Sequence, residues 1–107
     1  MIIKISKDFS ETPGARYYTE GPYSGQEFRE EHLIPKFLNI KDTEDTLTID
    51  FDGGYGYPTS FLEEAFGGLA RKFSPKTVLS KLEFISYDEP SLIDEVKDYI
   101  KAAKYEG

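Results

Sequence analysis

Apolar residues along this chain alternate between the two-residue spacing of a β-strand and the three-to-four-residue spacing of a helix. The clearest strand covers residues 46–51, where threonine and aspartate alternate with leucine, isoleucine and phenylalanine. Short β-rich runs at 1–6 and 82–86 predict two more strands. Residues 16–19, which lie between two turn signals built from proline and glycine, predict a short fourth strand.

Helical spacing fills the segments between these strands. A serine followed three residues later by glutamate, at 24–27, has the form of a capping box and predicts the start of a helix. Pro35 is expected either to kink this helix or to begin a second one at 34–40, because proline lacks the backbone donor that a helix interior needs. Three further helices are predicted: one from 60 to about 73, a short one from 75 that ends near 79 or 81, and a last one over 92–103 that is entered through 88–91.

This order of elements predicts an α/β fold. Strands that alternate with helices imply parallel crossovers and a sheet covered by helices. A chain of 107 residues is long enough for one hydrophobic core. We therefore expect a single domain over 1–107, with a mixed sheet of about four strands packed with helices.

Composition and charge reduce the number of function classes that this chain could belong to. The chain has no cysteine and one histidine, His32, which excludes thiolate chemistry and makes a metal site improbable. The formal charge of −7 opposes attraction to nucleic acid and to anionic lipid. The amino-terminal residues lack the apolar region of a signal peptide, so a soluble, cytoplasmic protein is expected. No cofactor is indicated.

The most informative stretch covers residues 50–66, which read as a strand, a glycine-rich turn and the start of a helix. This order places Thr59 and Ser60 in the first helical turn, where unpaired amides favour a capping oxygen or a phosphate. One interpretation is structural, with Ser60 and Glu63 forming a second capping box. The other makes the hydroxyls a modification or contact site.

The glycine-rich turn at 53–56 can be interpreted as a plain turn, as a partner surface or as a small-molecule site. Three glycines allow close approach of a ligand, but neither common phosphate-binding glycine motif is present. Tyr55 and Tyr57 in and beside the turn favour a protein contact, since tyrosine offers contact area at low entropic cost. In the helix that follows, Gly67 and Gly68 are expected to allow close packing against the sheet or to form a hinge.

Charged side chains give no catalytic arrangement. Arg16 and Arg29 are candidates for contact with an anion or a carboxylate. The adjacent pair Glu63 and Glu64 is expected to form part of a solvated acidic face, because neighbours on a helix point about 100° apart. No nucleophile stands in a pattern with a base. We therefore do not expect an enzyme.

Four segments together resemble the STAS-like domain family of unknown function that occurs in bacteria and their phages. The run at 60–66, which follows a strand, is the most specific of them. The resemblance covers roughly residues 2–100 and rests on the segments 14–16, 24–29, 47–51 and 59–69.

That family is similar in outline to the STAS domains of anti-sigma factor antagonists. The resemblance implies a non-catalytic regulatory module that docks onto a histidine-kinase-like ATPase, which phosphorylates a serine at a helix start. The hydroxyl pair falls on Thr59 and Ser60, with Ser60 at the phosphoacceptor position. Pro58 and Phe61 stand where the better-known domains have Asp and Gly.

We expect a partner surface formed by Tyr55, Tyr57, Phe61, Glu63 and Glu64. Two other functions stay open from the sequence. One is a small nucleotide-binding or ligand-binding domain that uses the turn at 53–56, and the other is a structural homodimer.

Overall fold

Three short strands pair in parallel in the order β1-β2-β3, with β1 at Ile2–Lys4, β2 at Leu47–Asp50 and β3 at Leu82–Ile85. The computed structural model describes all residues from 1 to 107. The expected α/β class is confirmed, but the sheet has three strands, not four, and is wholly parallel, not mixed.

The missing strand is the one expected at 16–19. This segment instead runs into a 3₁₀ turn at Tyr18–Glu20. The Glu20 carboxylate accepts hydrogen bonds from the amides of Arg16 and Tyr17, which satisfies donors that a strand would need for its ladder. Local side-chain bonds have therefore replaced sheet pairing.

Five helices accompany the sheet. The short α1 (Ile5–Asp8) follows β1 directly, so the first strand ends earlier than expected. Helix α2 spans residues 25–40, α3 spans 59–73, α4 is Pro75–Lys81 and α5 is Ser91–Ala102. The predicted helices and the strands at 46–51 and 82–86 are thus confirmed within one to two residues.

Both long helices contain one π-helical turn, at Arg29–Leu33 in α2 and at Glu63–Gly67 in α3. The first lies directly before Pro35, whose missing N–H and bulky ring disturb a regular turn. Helix α2 therefore continues through Pro35 without breaking. Ser24 caps it by accepting from the Glu27 amide at 3.0 Å, while the Glu27 carboxylate accepts from the Tyr23 amide.

The core lies between one face of the sheet and the helices. The paired rows Ile3–Ile49 and Leu47–Leu82 put buried side chains on that face. The opposite face is more open, and Ile2 on it is 60% exposed. Consecutive right-handed crossovers between strands in the order 1-2-3 place their helices on one side, which explains this asymmetry.

Candidate functional site

The loops that follow the three strands meet at the carboxyl edge of the sheet. After β2, the Asp52 carboxylate accepts hydrogen bonds from the amides of Tyr87 and Asp88, at 3.1 and 2.9 Å. In return, the Asp88 carboxylate accepts from the Gly53 amide at 3.1 Å. These reciprocal bonds fix the loop after β2 against the loop after β3.

The segment after β1, which consists of α1 and the loop that follows it, is joined to the same structure. Ser6 donates its hydroxyl to the carbonyl of Asp52 at 3.0 Å, and the Tyr55 amide donates to the carbonyl of Glu11 at 2.9 Å. Gly53 adopts a φ of +94°, and a Cβ there would lie 2.8 Å from the Ser6 hydroxyl. Glycine is therefore required at this position for both conformation and space.

A shallow groove of about 240 Å³ opens at this edge. It is lined by Phe51, Gly54, Tyr55, Gly56, Tyr57, Ser86, Asp88, Glu89 and Leu92. Tyr57 is half-buried and donates its hydroxyl to the carbonyl of Phe51 at 2.7 Å. Burial first, and then the negative charges of Asp50, Asp52 and Asp88, raise the pKa of this tyrosine.

Two tyrosines on the loops at this edge have side chains that are mostly exposed to solvent. Tyr55 is 84% exposed and Tyr87 is 85% exposed, and they come from the loops after β2 and β3. Their backbones are fixed by the bonds to Glu11 and Asp52 described above. The edge therefore presents two aromatic side chains on an anchored backbone.

Thr59 and Ser60 lie in the first turn of α3, two and three residues after Tyr57, which lines the groove. Helix α3 begins after Pro58, whose side chain makes no capping hydrogen bond. Thr59 is exposed and Ser60 is half-buried. The expected capping box of Ser60 with Glu63 is wrong, because the helix starts one residue earlier and the Glu63 carboxylate is held by arginines.

Those arginines belong to a cluster of three cations and two carboxylates. Arg16 Nη1 lies 2.5 Å from Glu63 Oε1 and 3.2 Å from Glu64 Oε1. Arg71 Nη1 lies 2.7 Å from Glu63 Oε2, and Arg29 Nη1 lies 2.5 Å from Glu64 Oε2. The cluster joins the segment before α2, α2 itself and α3.

The pKa shifts in this cluster follow from its hydrogen bonds. The bond to Glu63 raises the pKa of Arg16 and that of Arg71. Burial raises the pKa of Glu63, but the hydrogen bonds from Arg71 and Arg16 together outweigh burial and leave this pKa lowered. All three groups are therefore firmly charged at neutral pH.

This geometry corrects several site expectations. Phe61 is fully buried against Phe28, at 5.7 Å between ring centroids, so it cannot contact a partner. Glu64 is buried by its arginine partners, and Glu63 is half-buried in the same cluster, so the pair does not form a solvated acidic face. Tyr55 is the residue of the expected surface with the most exposed side chain.

For Arg16 and Arg29 the structure confirms the carboxylate contact that was one of the two expected alternatives. Both guanidinium groups already bind carboxylates of α3. Arg29 lies over Gly68, where a Cβ would come within 2.9 Å of the Arg29 Cδ. The close packing expected at this glycine is present, but the packing partner is α2 and not the sheet.

Sequence reasoning missed Arg71, Asp52, Asp88 and Tyr87. Arg71 stands eight residues after Glu63, about two helical turns, which is a usable signal for a shared helix face. Tyr87 and Asp88 follow the end of β3, just as Asp52 and Tyr55 follow β2. Because the carboxyl ends of parallel strands meet at one edge, this placement could have been read from the strand order.

Within this structure, no group of three or more histidine and acidic side chains is arranged to hold a metal ion. No helix combines the length and the apolar composition that crossing a membrane requires.

The fold is a small α/β domain with a three-stranded parallel sheet, and the segments after its strands form a groove at the carboxyl edge of that sheet. The family profile described as "STAS-like domain of unknown function (DUF4325)" matches residues 24–92, more than half of the chain. The chain therefore belongs to the STAS-like domain family, as its resemblance indicated. Comparison with curated proteins and with solved structures gave no match.

Proposed function

We propose that this chain is a non-catalytic regulatory module that binds a protein partner through the carboxyl edge of its sheet. The observation that carries the proposal is the pair Tyr55 and Tyr87, both more than four-fifths exposed: Tyr55 lines the groove, and Tyr87 stands in the chain between the lining residues Ser86 and Asp88. Tyrosine is enriched in binding surfaces because a rigid ring provides a large contact area with few rotatable bonds. Isolated exposed side chains are common, but these two come from loops that are hydrogen-bonded to each other.

The fixed loops favour binding. Asp52 and Asp88 hold the two tyrosine-bearing loops together, so little backbone freedom is left to lose when a partner docks. A surface that is ordered before binding avoids part of the entropic cost of association. The hydrogen bonds between the loops therefore support a recognition role for this edge.

We further propose that phosphorylation of Thr59 or Ser60 switches the module. Either hydroxyl lies three or four residues before Glu63 on α3, the spacing at which helix side chains are neighbours. A phosphate carries about −1.5 to −2 charges at neutral pH and forms strong bonds with arginine. It would therefore compete with Glu63 for Arg16, and Arg16 belongs to the loop that leads into α2.

The partner that we propose is a histidine-kinase-like ATPase. The support is the STAS-like family, whose outline is similar to that of domains phosphorylated by such ATPases. The partner would bind the edge that carries Tyr55 and Tyr87 and transfer a phosphoryl group from ATP to a hydroxyl of α3. Thr59 is the more exposed hydroxyl, and Ser60 occupies the position that corresponds to the phosphoacceptor.

The test combines the chain with each histidine-kinase-like ATPase of the same genome in the presence of Mg²⁺ and ATP. The proposal predicts a mass gain of one phosphate on the peptide that contains Thr59 and Ser60. Thr59→Ala and Ser60→Ala, separately and together, identify the acceptor, and Thr77→Ala is the matched control on another helix. No mass gain and no complex with any of these ATPases would remove the proposal.

The groove argues against the nucleotide-binding alternative. None of its lining residues is lysine or arginine, and two of them, Asp88 and Glu89, are acidic. Phosphate groups need donors and positive charge, so this edge is a poor site for a nucleotide. The homodimer alternative stays a prediction, which sedimentation of the chain alone at two concentrations tests.

A further inference from the structure

The groove at the carboxyl edge has a composition that selects the chemistry of its occupant. Its lining combines the apolar or aromatic residues Phe51, Tyr57 and Leu92 with the exposed acidic residues Asp88 and Glu89. We propose that the groove binds the side chain of an arginine presented by the protein partner. This inference rests on the proposed function, because it names the group through which the partner docks.

The acidic lining residues have free acceptor capacity. Asp88 uses only Oδ2 in its bond to the Gly53 amide, so Oδ1 has no hydrogen-bond donor. The Glu89 carboxylate forms no hydrogen bond or ion pair. A guanidinium has five donors in a planar fork, which suits two carboxylates that still have open acceptor positions.

The charge around the groove complements a cation. Asp88 lines the groove together with Tyr57, and the Asp52 carboxylate accepts from the Asp88 amide at 2.9 Å; after burial, the charges of Asp50, Asp52 and Asp88 raise the pKa of Tyr57. The chain also carries a formal charge of −7. A cationic partner is therefore steered towards this molecule, and no lining cation opposes it at the groove.

The size and the aromatic wall favour arginine over other cations. A volume of about 240 Å³ is smaller than most pockets for drug-sized ligands and suits one long side chain. Tyr55 and Tyr57 offer ring faces on which a planar guanidinium can stack. Lysine has neither the planar fork nor the weak hydration that favours stacking, so it should bind less well.

The test is a titration of the isotope-labelled chain with N-acetyl-arginine amide, followed by two-dimensional amide NMR. The expected result is saturable shifts of Gly54, Tyr55, Gly56, Ser86 and Glu89, and much smaller shifts with N-acetyl-citrulline amide, which has the same shape without the charge. Glu89→Gln and Tyr55→Ala should each weaken binding about fivefold. Glu44→Gln, an exposed acid in the loop before β2, is the matched control and should leave binding unchanged.

Saturable shifts elsewhere, equal shifts with the citrulline probe, or no shift at these residues would each overturn the inference. The result is independent of the ATPase experiment, since the probe needs no protein partner. If the probe binds in the groove and no ATPase phosphorylates the chain, only the proposed function fails. If an ATPase complex forms and persists in the Glu89→Gln variant, only the arginine inference fails.

Discussion

Arg29 on α2 is bonded twice to Glu64 on α3 through a single nitrogen. Its Nη1 donates to the Glu64 carboxylate at 2.5 Å and to the Glu64 backbone carbonyl at 2.7 Å. Glu64 lies in the π-helical turn of α3, where the regular backbone pattern is interrupted. The arginine therefore satisfies a carbonyl and a buried charge at once, and it fastens α2 to α3.

Removal of this arginine should destabilise the fold. Arg29→Met leaves the nearly buried Glu64 carboxylate with only Arg16 and the more distant Arg71, so we expect a loss of about 2–4 kcal/mol in the free energy of unfolding. Arg29→Lys keeps the charge and should lose less. Urea denaturation monitored by circular dichroism measures both, and unchanged midpoints would contradict the role given to Arg29.

The protein should be more stable with glycine than with alanine at position 68, although alanine has the higher helix propensity. Alanine is favoured over glycine by about 1 kcal/mol in an unhindered helix. At Gly68 the new Cβ would come within 2.9 Å of the Arg29 Cδ and displace a side chain held by Glu64. We expect Gly68→Ala to cost about 1–3 kcal/mol.

A double-mutant cycle supplies the control for this prediction. In the Arg29→Ala background the obstructing side chain is absent, so Gly68→Ala should become neutral or stabilising. Equal costs in the two backgrounds would show that the glycine is required for another reason.

Lowering the pH should decrease the free energy of unfolding, because the Glu63 carboxylate becomes protonated. The pKa of this carboxyl is lowered because the hydrogen bonds from Arg71 and Arg16 outweigh burial. Its stabilisation is therefore present above the ordinary value of 4.5 and is lost as the pH falls through the lowered pKa. Glu63→Gln should cost about 1–2 kcal/mol at pH 7 and much less at pH 3.

Denaturation of the wild type and of Glu63→Gln across this pH range measures the effect. The two stability curves should converge at acidic pH. The matched variant Glu44→Gln removes an exposed carboxylate and should run parallel to the wild type. Parallel curves for Glu63→Gln as well would contradict the lowered pKa.

A phosphate on Ser60 should loosen the segment that carries Arg16. If the phosphate draws Arg16 from Glu63, the amides of Gly25 and Gln26, which donate to carbonyls of residues 15 and 16, lose support. Phosphoserine installed at position 60 during translation should therefore speed hydrogen exchange of these two amides. Mass spectrometry or NMR measures the rates.

The Arg16→Ala variant provides the comparison for this experiment. It should show the faster exchange without any phosphate, and the phosphate should then add little. Unchanged exchange in the phosphorylated wild type would remove Arg16 from the switch, while the phosphorylation itself would still stand or fall by the ATPase test.

The sequence predicted those elements whose signals are local. The strand at Leu47–Asp50 follows from strict alternation, and α3 and α5 follow from helical spacing with clear turn signals before them. The strand expected at 16–19 failed because the Glu20 carboxylate captures the amides of Arg16 and Tyr17. Tyrosine-rich composition favours strands, but it carries no information about such a competing bond.

The sequence predicted only part of the site, because several of its contacts join residues that are distant in the chain. The hydroxyls and Tyr55 lie where the strand-turn-helix pattern places them. The burial of Phe61 depends on Phe9 and Phe28, which come from distant parts of the chain and surround it. The ion cluster likewise joins residues more than 30 positions apart, which no local spacing reveals.

The most direct test of the central proposal, that the carboxyl edge of the sheet binds a protein partner, is sedimentation velocity of the chain with each histidine-kinase-like ATPase of the same genome. The wild type and Tyr105→Ala, which alters an exposed tyrosine beyond the end of α5, should form the complex equally well. Tyr55→Ala should fold normally and lose the complex, since the Tyr55 side chain is 84% exposed and adds little to the packing of the fold. A complex of undiminished affinity with Tyr55→Ala and with Tyr87→Ala would contradict the proposal.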